Sequence, residues 1–249
     1  MASFAPEPII HLGSTTISNT FLATLLVDVI IIVGAVIIAR NIKAIPNLFQ
    51  NMVESIIETF YNLTESVAAK RTPKIFPYFM SFFLFVLIAN WSGLIPGVGT
   101  IGFFEEHGNE HKLVPILRSA TSDLNVTLAL ALVSAFATHM LSVKTIGIKE
   151  YLSRYFSFNP INLFVGILEI ISEITKIISL SFRLFGNIFA GEVVLLTTAG
   201  IFAFLFPVPF LLLEIIVGLV QALVFGMLTM TFMAILTTPH HEVQEVKRG

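Results

Sequence analysis

Long runs of apolar residues alternate with short polar stretches along the whole chain. Several runs reach the roughly 20 residues that a helix needs to cross a bilayer, and none shows the alternation of a membrane strand. The pattern predicts an all-α polytopic membrane protein with about five membrane helices in a single membrane domain (1–249). In order, we predict an outer N-terminal lead (1–20), a first span (21–39), an amphipathic interfacial helix (46–69), a second span (75–96), an outer loop (97–122), a third span (123–143), two long helices (160–205 and 207–237) and a polar tail (238–249).

The segment 46–69 differs from the spans because its apolar residues fall on one side. Residues such as Phe49 and Val53 recur at spacings of three or four, whereas Glu54 and Glu58 occupy the other side. This is the pattern of an amphipathic helix. We expect it to lie along the inner membrane interface or to pack on another subunit.

The segment 160–205 is too long for one perpendicular crossing. A helix of about 45 residues would span roughly 70 Å, against about 30 Å of hydrocarbon. One interpretation is two crossings joined by a turn at 183–187, in which Arg183 merely marks the inner side of the membrane. The other is a single long, steeply tilted helix.

Polar residues at helical intervals favour the single helix. Six of them, Arg183 included, fall within roughly 40° of the direction of Arg183 on a helical projection, and they stay in register across the proposed turn. Glu192 falls on the opposite side. In the last helix, Glu214 and Gln221 share a face because they are seven residues apart. The six residues of this polar stripe are Glu169, Ser172, Lys176, Ser179, Arg183 and Asn187.

Composition excludes a water-soluble protein. Hydrophobic residues make up 55% of the chain and charged residues only 12%, with a mean hydropathy of +0.89, whereas soluble domains carry about 25% charged residues. The net charge of −2 does not suggest nucleic acid as a partner, and the lack of cysteine excludes disulfides and thiolate chemistry. Arg40 and Lys43 follow the first span and no cation precedes it, so the positive-inside rule places the N-terminus outside.

The apolar segments contain one permanent cation in a costly position. Placing an arginine at the centre of a lipid-facing helix costs at least about 2.5 to 3.5 kcal/mol of insertion free energy, and the guanidinium cannot neutralise itself. We therefore expect Arg183 to have a functional role. The sequence shows no nucleophile beside a base, no phosphate-binding loop and no metal-ligand cluster. We therefore predict no catalytic activity of its own, no metal and no cofactor. Intramembrane carboxylates are good proton stations, and this chain has Glu169, Glu173, Glu192 and Glu214.

Several other polar residues can be interpreted as either structural or functional. Asn90 could line a polar pathway or simply form hydrogen bonds at a helix end. His139 is more often a structural hydrogen bonder than a proton relay, and Asp28 is interpreted as a hydrogen-bonded acid near the interface. We expect His107 and His111 of the outer loop to be solvated rather than to bind a metal.

Three stretches resemble subunit a of the F-type (rotary) ATP synthase, the membrane proton-channel stator subunit. They are RLFGNIFAGE from Arg183, LVQALVFGMLT around Gln221 and SDLNVTLALAL at the start of the third span, and the resemblance covers essentially the whole chain. It implies that Arg183 faces the carboxylate of each passing c subunit, with Gln221 opposite it and Asn187 one turn away. It also implies two offset half-channels, whose residues would be Glu192, Glu214 and Asn90 on the outer side and Glu169 and Ser172 on the inner side.

The resemblance further implies partners and a location. The partners are the c-ring, the peripheral stalk (subunit b), the rest of the ATP synthase, the lipid bilayer and the protons that drive rotation. The location is the inner (plasma) membrane of a bacterium, with an organelle inner membrane as the alternative. Many relatives pair a His with a Glu where this chain has Glu192 and Glu214, so here we expect two coupled acids.

Two other functions remain as alternatives to the stator subunit. A secondary transporter would use Arg183 to bind an anionic substrate, and it predicts an internal repeat, which the sequence does not show. A structural membrane scaffold would tolerate lysine at that position and would not conduct protons.

Overall fold

A computed structural model describes residues 8–12, 15–95, 102–107, 110–115, 118–155, 160–201 and 207–238 of the chain. Helices account for most of these residues. The helices are α1 (Asn19–Arg40), α2 (Leu48–Ala68), α3 (Thr72–Ser92), α4 (Leu124–Ile146), α5 (Ile148–Tyr155), α6 (Pro160–Ile201) and α7 (Pro207–Leu236). The predicted polar tail lies, except for its first residue, outside the described residues.

The polytopic all-α fold is confirmed. Within the described residues, four helical segments are long and apolar enough to cross a membrane: 19–40, 48–92, 124–146 and 207–236. The second of these joins the amphipathic α2 to α3. The remaining long helix, α6, is not among the four and carries the polar stripe.

Three short elements were not predicted. The outer lead contains the antiparallel hairpin β1 (Pro8–Leu12) and β2 (Thr15–Ser18), and the outer loop contains β3 (Gly102–His107) and β4 (Glu110–Pro115). Helix α5 lies between the third span and the first long helix, where no element was predicted. Two-stranded hairpins and a helix of two turns are too short to leave a clear hydrophobic period, so the pattern missed all three.

Local signals explain where the helices start. The Ser18 side chain accepts a hydrogen bond from the Phe21 amide at the start of α1, and Asp123 accepts one from the Asn125 amide at the start of α4. Both contacts satisfy amides that the first helical turn leaves unpaired. Helices α6 and α7 each begin at a proline, which suits the first helical position because that position needs no amide donor.

Helix α6 is continuous from Pro160 to Ile201. It has no turn at 183–187, so the two-crossing interpretation is wrong. At about 1.5 Å per residue its 42 residues extend about 63 Å, roughly twice the hydrocarbon thickness. A helix of this length crosses a bilayer only if it is tilted or projects beyond it.

The core lies where α3 packs on α7. Phe79, Phe82 and Phe83 of α3 are buried, and the rings of Phe82 and Phe225 lie 5.9 Å apart. A methyl group on Gly226 would crowd the Phe79 ring, so the glycine permits this close packing. The core therefore fixes α7, which carries Gln221 and Glu214, against α3.

Helix α4 joins this core through hydroxyl groups. Thr127, Ser134 and Thr138 are all buried, so this face of α4 meets protein rather than lipid. The Ser134 hydroxyl lies 2.8 Å from the hydroxyl of Thr229 on α7. The Thr127 hydroxyl lies 3.2 Å from that of Ser181 on α6. Helix α4 thus holds both long helices in place.

Candidate functional site

The polar stripe runs along one side of α6, next to the side that enters the core. Leu180, Leu184 and Ile188 are buried, whereas Arg183 and Asn187 are exposed. The register follows from the sequence, because the apolar and polar residues each recur every three or four positions. The arginine is therefore presented at the surface of the subunit.

Arg183 has no acidic partner within the described part of the chain. Its Nη2 donates to the hydroxyl of Ser179, one turn earlier, at 3.4 Å. The ion pairs between described residues involve other arginines and lysines. An exposed guanidinium without a carboxylate can attract one from outside the subunit.

Helices α6 and α7 are tied together beside this arginine. The Asn187 Nδ2 donates to the Gln221 Oε1 at 2.9 Å. Asn187 lies one turn after Arg183, and Gln221 is buried on α7 with 5% of its surface exposed. The structure thus brings together the three residues to which the resemblance gave the central role.

Glu214 lies against the backbone of α6. It is buried, with 6% of its surface exposed, and a methyl group on Gly191 would overlap its carboxylate. The missing side chain at residue 191 makes the room that the carboxylate occupies. Glu192 is the next residue along α6, so the two predicted outer acids belong to one neighbourhood.

Glu192 pairs with an arginine that the sequence analysis missed. The Arg118 Nε donates to the Glu192 Oε1 at 3.2 Å, and the Arg118 Nη2 donates to Oε2 at 3.1 Å. Bidentate pairs of this kind are the strong, geometrically specific ones. The two residues are 74 positions apart. The sequence offers one signal for this pair. Arg118 is a cation on the outer side just before the third span, where the positive-inside rule does not predict one.

Asn90 forms side-chain hydrogen bonds to two other segments of the fold. Its Nδ2 donates to the Gly218 carbonyl at 3.0 Å, and its Oδ1 accepts from the Thr121 hydroxyl at 2.8 Å. A methyl group on Gly218 would press on the Asn90 side chain, so the glycine allows α3 and α7 to approach. The asparagine has the contacts of a helix-end hydrogen bonder, and its partner Gly218 lies one turn after Glu214 on α7.

The inner part of the stripe borders a cleft. Ser172, Lys176, Ser179 and Arg183 line a cleft of about 410 Å³, which we call the stripe cleft. Residues of α7, among them Phe232, line its other wall. The Lys176 Nζ lies 4.5 Å from the centre of the Phe232 ring, a cation–π contact that holds the lysine in the cleft wall.

Glu169, the innermost residue of the stripe, pairs with an arginine from α5. The Arg154 Nε lies 3.5 Å from the Glu169 Oε1. The same guanidinium also lies within 3.4 Å of the carbonyls of Ile235 and Leu236 at the end of α7. Arg154 therefore joins the inner ends of α6 and α7. Within the described residues, no group of three or more His, Asp or Glu side chains is placed to hold a metal ion.

The site thus consists of an exposed arginine with acids before and after it along α6. Glu192 lies on the outer half of α6 and Glu214 of α7 packs beside it, whereas Glu169 lies on the inner half of α6 near the stripe cleft. Such a layout can exchange protons separately on each side of the arginine, because the fixed charge repels free cations between them.

Known proteins match this chain over most of its length. Residues 21–234 match the family described as ATP synthase A chain. The "ATP synthase subunit a 2" of Pelobacter propionicus is 34% identical over 231 residues, which is 92% of this chain and 90% of that protein. The "ATP synthase subunit a" of Moorella thermoacetica is 30% identical over 94% of this chain and 97% of its own length. The "ATP synthase subunit a 1" of Hahella chejuensis is 34% identical over 90% of this chain and 86% of its own length. With its continuous Arg183 helix and a match over nearly its whole length, the chain belongs to the ATP synthase A chain family.

Proposed function

We propose that this chain is the proton-translocating stator subunit in the membrane sector of an F-type ATP synthase. It has no catalytic activity of its own, and the synthesis of ATP takes place elsewhere in the complex. The observation that carries the proposal is the exposed Arg183, which lacks an acidic partner within the described residues and lies beside the bond between Asn187 and Gln221.

Arg183 acts on a carboxylate of the neighbouring rotor. A guanidinium remains charged at any physiological pH, so it favours the ionised form of an acid that comes near it. A protonated carboxyl group of the c-ring that reaches Arg183 therefore loses its proton. The bond from Asn187 to Gln221 keeps α6 and α7 in register beside the arginine, so each ring carboxylate meets the same geometry.

Protons enter from the outer side through Glu214. Both oxygens of Glu192 already accept hydrogen bonds from Arg118. Glu192 has the contacts of an ionised carboxylate, whereas Glu214 lies against bare backbone at Gly191. The two acids therefore differ in role: Glu214 carries the proton and Glu192 attracts it.

Protons leave on the inner side along the stripe cleft. Ser172 lines the cleft, and Glu169 lies three residues further in. The outer and inner routes do not join because Arg183 lies between them. A proton crosses only by riding on the ring through nearly a full turn, which couples proton flow to rotation.

The partners follow from this role. The face that exposes Arg183 meets the c-ring, and the amphipathic α2 offers a surface for the peripheral stalk (subunit b). The membrane is the inner (plasma) membrane of a bacterium, in keeping with the bacterial relatives.

Replacement of Arg183 tests the proposal. We expect Arg183→Ala to abolish ATP-driven proton pumping in membrane vesicles, while the c-ring still copurifies with the chain. A matched replacement, Arg40→Ala, removes a cation at the end of α1 and should leave pumping unchanged. Coupled pumping by the Arg183→Ala complex would refute the proposal, and failure to copurify with a c-ring would favour a transporter or a scaffold.

A further inference from the structure

A chain of polar contacts leaves the stripe and crosses to α4 and α5. The Lys176 Nζ lies 3.0 Å from the Glu173 Oε1, and the Glu173 Oε2 lies 3.7 Å from the His139 Nε2. The His139 Nδ1 lies 2.9 Å from the hydroxyl of Tyr151 on α5. Three helices therefore contribute to one row of titratable groups. The function proposed above gives no role to Glu173, His139 or Tyr151.

This row lies between two clefts. Lys176 borders the stripe cleft, which also contains Arg183. Glu173 and His139 border a second cleft of about 340 Å³. The two oxygens of Glu173 thus point to different neighbours, one toward the lysine in the wall of the first cleft and one toward the histidine in the wall of the second. Glu173 is mostly buried, with 14% of its side chain exposed.

The second cleft contains a polar group that needs a partner. The Tyr155 hydroxyl is buried there and has no hydrogen-bond partner within the described residues. Buried hydroxyls almost always have a partner, protein or water. We therefore expect the second cleft to admit water, which is a condition for it to accept protons.

We propose that Glu173 and His139 form a branch of the inner proton path, which leads from the stripe cleft into the second cleft. The branch rests on the proposed function, because only a subunit that discharges protons beside Arg183 needs an exit on this side. It runs beside the route through Ser172 and Glu169. That route ends at a carboxylate held by Arg154, whereas the branch ends at a histidine.

Each step of the branch moves one proton, and the complete sequence of steps leaves Glu173 and His139 as they began. A proton from the stripe cleft converts the Glu173 carboxylate into a neutral acid. Its transfer to the Nε2 of His139 restores the carboxylate and forms an imidazolium. Release of that proton from Nε2 to water in the second cleft restores the neutral imidazole. A small rotation of either side chain closes the 3.7 Å gap to the range of proton transfer.

Tyr151 positions the histidine for this step. If Nδ1 carries the proton of the neutral ring and donates it to the Tyr151 hydroxyl oxygen, Nε2 has a free lone pair directed at Glu173. Histidine suits such a relay because its unperturbed charge change lies within the physiological pH range. A purely structural role is the competing explanation, in which the pair only holds α4 against α6.

Variants without a titratable side chain, made in the whole ATP synthase, separate the two explanations. Glu173→Gln is isosteric and His139→Gln retains a side chain that can hydrogen-bond, but a glutamine amide neither takes up nor releases a proton near neutral pH. The measurement is potential-driven proton uptake through the membrane sector in proteoliposomes after removal of the catalytic head, divided by the amount of assembled complex. Glu150→Gln, which removes a carboxylate from α5 outside the row, is the matched control.

We expect each single variant to lower the flux per complex severalfold and the double variant to lower it no further, because the two groups act in series. A structural role instead lowers the amount of complex and leaves the flux per complex unchanged. Flux per complex equal to that of the wild type in either variant overturns the branch, and so does a double variant whose loss is the product of the two single losses. Pumping by Arg183→Ala, measured in parallel, shows separately whether the proposed function fails.

Discussion

Gly191 provides a test that separates the position of Glu214 from the stability of the protein. A methyl group at residue 191 would overlap Oε1, Oε2 and Cδ of the Glu214 carboxylate. These atoms form the end of a flexible side chain, so the carboxylate can move away without forcing the two helices apart. We therefore expect Gly191→Ala to displace the carboxylate of Glu214 while α6 and α7 remain packed.

The expected effects on rate and stability differ in size. The carboxylate must move by about 1 Å to leave the overlap, and a misplacement of about 1 Å can cost about 100-fold in rate. The change in stability should be small, because replacing glycine by alanine in a helix interior gains about 1 kcal/mol and crowding costs about 1 to 3 kcal/mol. We expect the Gly191→Ala complex to assemble normally and to conduct protons about 10- to 100-fold more slowly.

Two variants complete this experiment, with potential-driven proton uptake per assembled complex as the measurement. Gly200→Ala is the control on the same helix, since a methyl group there meets nothing within 4 Å, and it should conduct like the wild type. Adding Glu214→Asp to Gly191→Ala shortens the acid by one methylene group and should recover part of the flux. If Gly191→Ala conducts as fast as Gly200→Ala, the placement of Glu214 against bare backbone does not matter and the reasoning is refuted.

Three further outcomes are expected. Arg118→Lys keeps the charge but can bind only one oxygen of Glu192 at a time, so flux should fall, and it should fall further with Arg118→Gln; equal flux in both would contradict a bidentate role. Gln221→Leu removes a hydrogen bond of 2.9 Å that is worth about 1 kcal/mol, so ATP-driven pumping should slow but stay coupled to hydrolysis. In a double-mutant cycle, Ser134→Ala and Thr229→Val should show a coupling free energy of about 0.6 kcal/mol, measured by unfolding of the complex. A pumping assay should find proton pumping unchanged in both variants.

The helical part of the site could be predicted because it depends on local periodicity. Arg183 and Asn187 share a face for the same reason that Leu180 and Leu184 share the buried one, and 100° per residue is enough to deduce both. The same arithmetic placed Glu192 on the opposite side. The structure agrees, because Glu192 pairs with a residue from before α4 and not with the stripe.

Contacts between distant segments could not be predicted in this way. No period relates Arg118 to Glu192, since their meeting depends on how the outer segment folds back over α6. The same is true of Asn90, whose two partners come from α7 and from the turn before α4. Side-chain chemistry indicated that each of these groups needed a partner, but only the packing of the helices decides which partner it finds.

The exposed position of Arg183 has a consequence for assembly. A charged group that projects from a membrane helix into lipid is costly, and in the proposed function contact with a rotor carboxylate would remove that cost. Anything that binds the folded subunit and not its unfolded form stabilises it by mass action. With the proposed rotor contact, the stability of the subunit would depend on its rotor, and a copy made in excess of available rotors should be the first to be degraded. Arg183 would then contribute both to rotation of the rotor and to control of the amount of this subunit in the membrane.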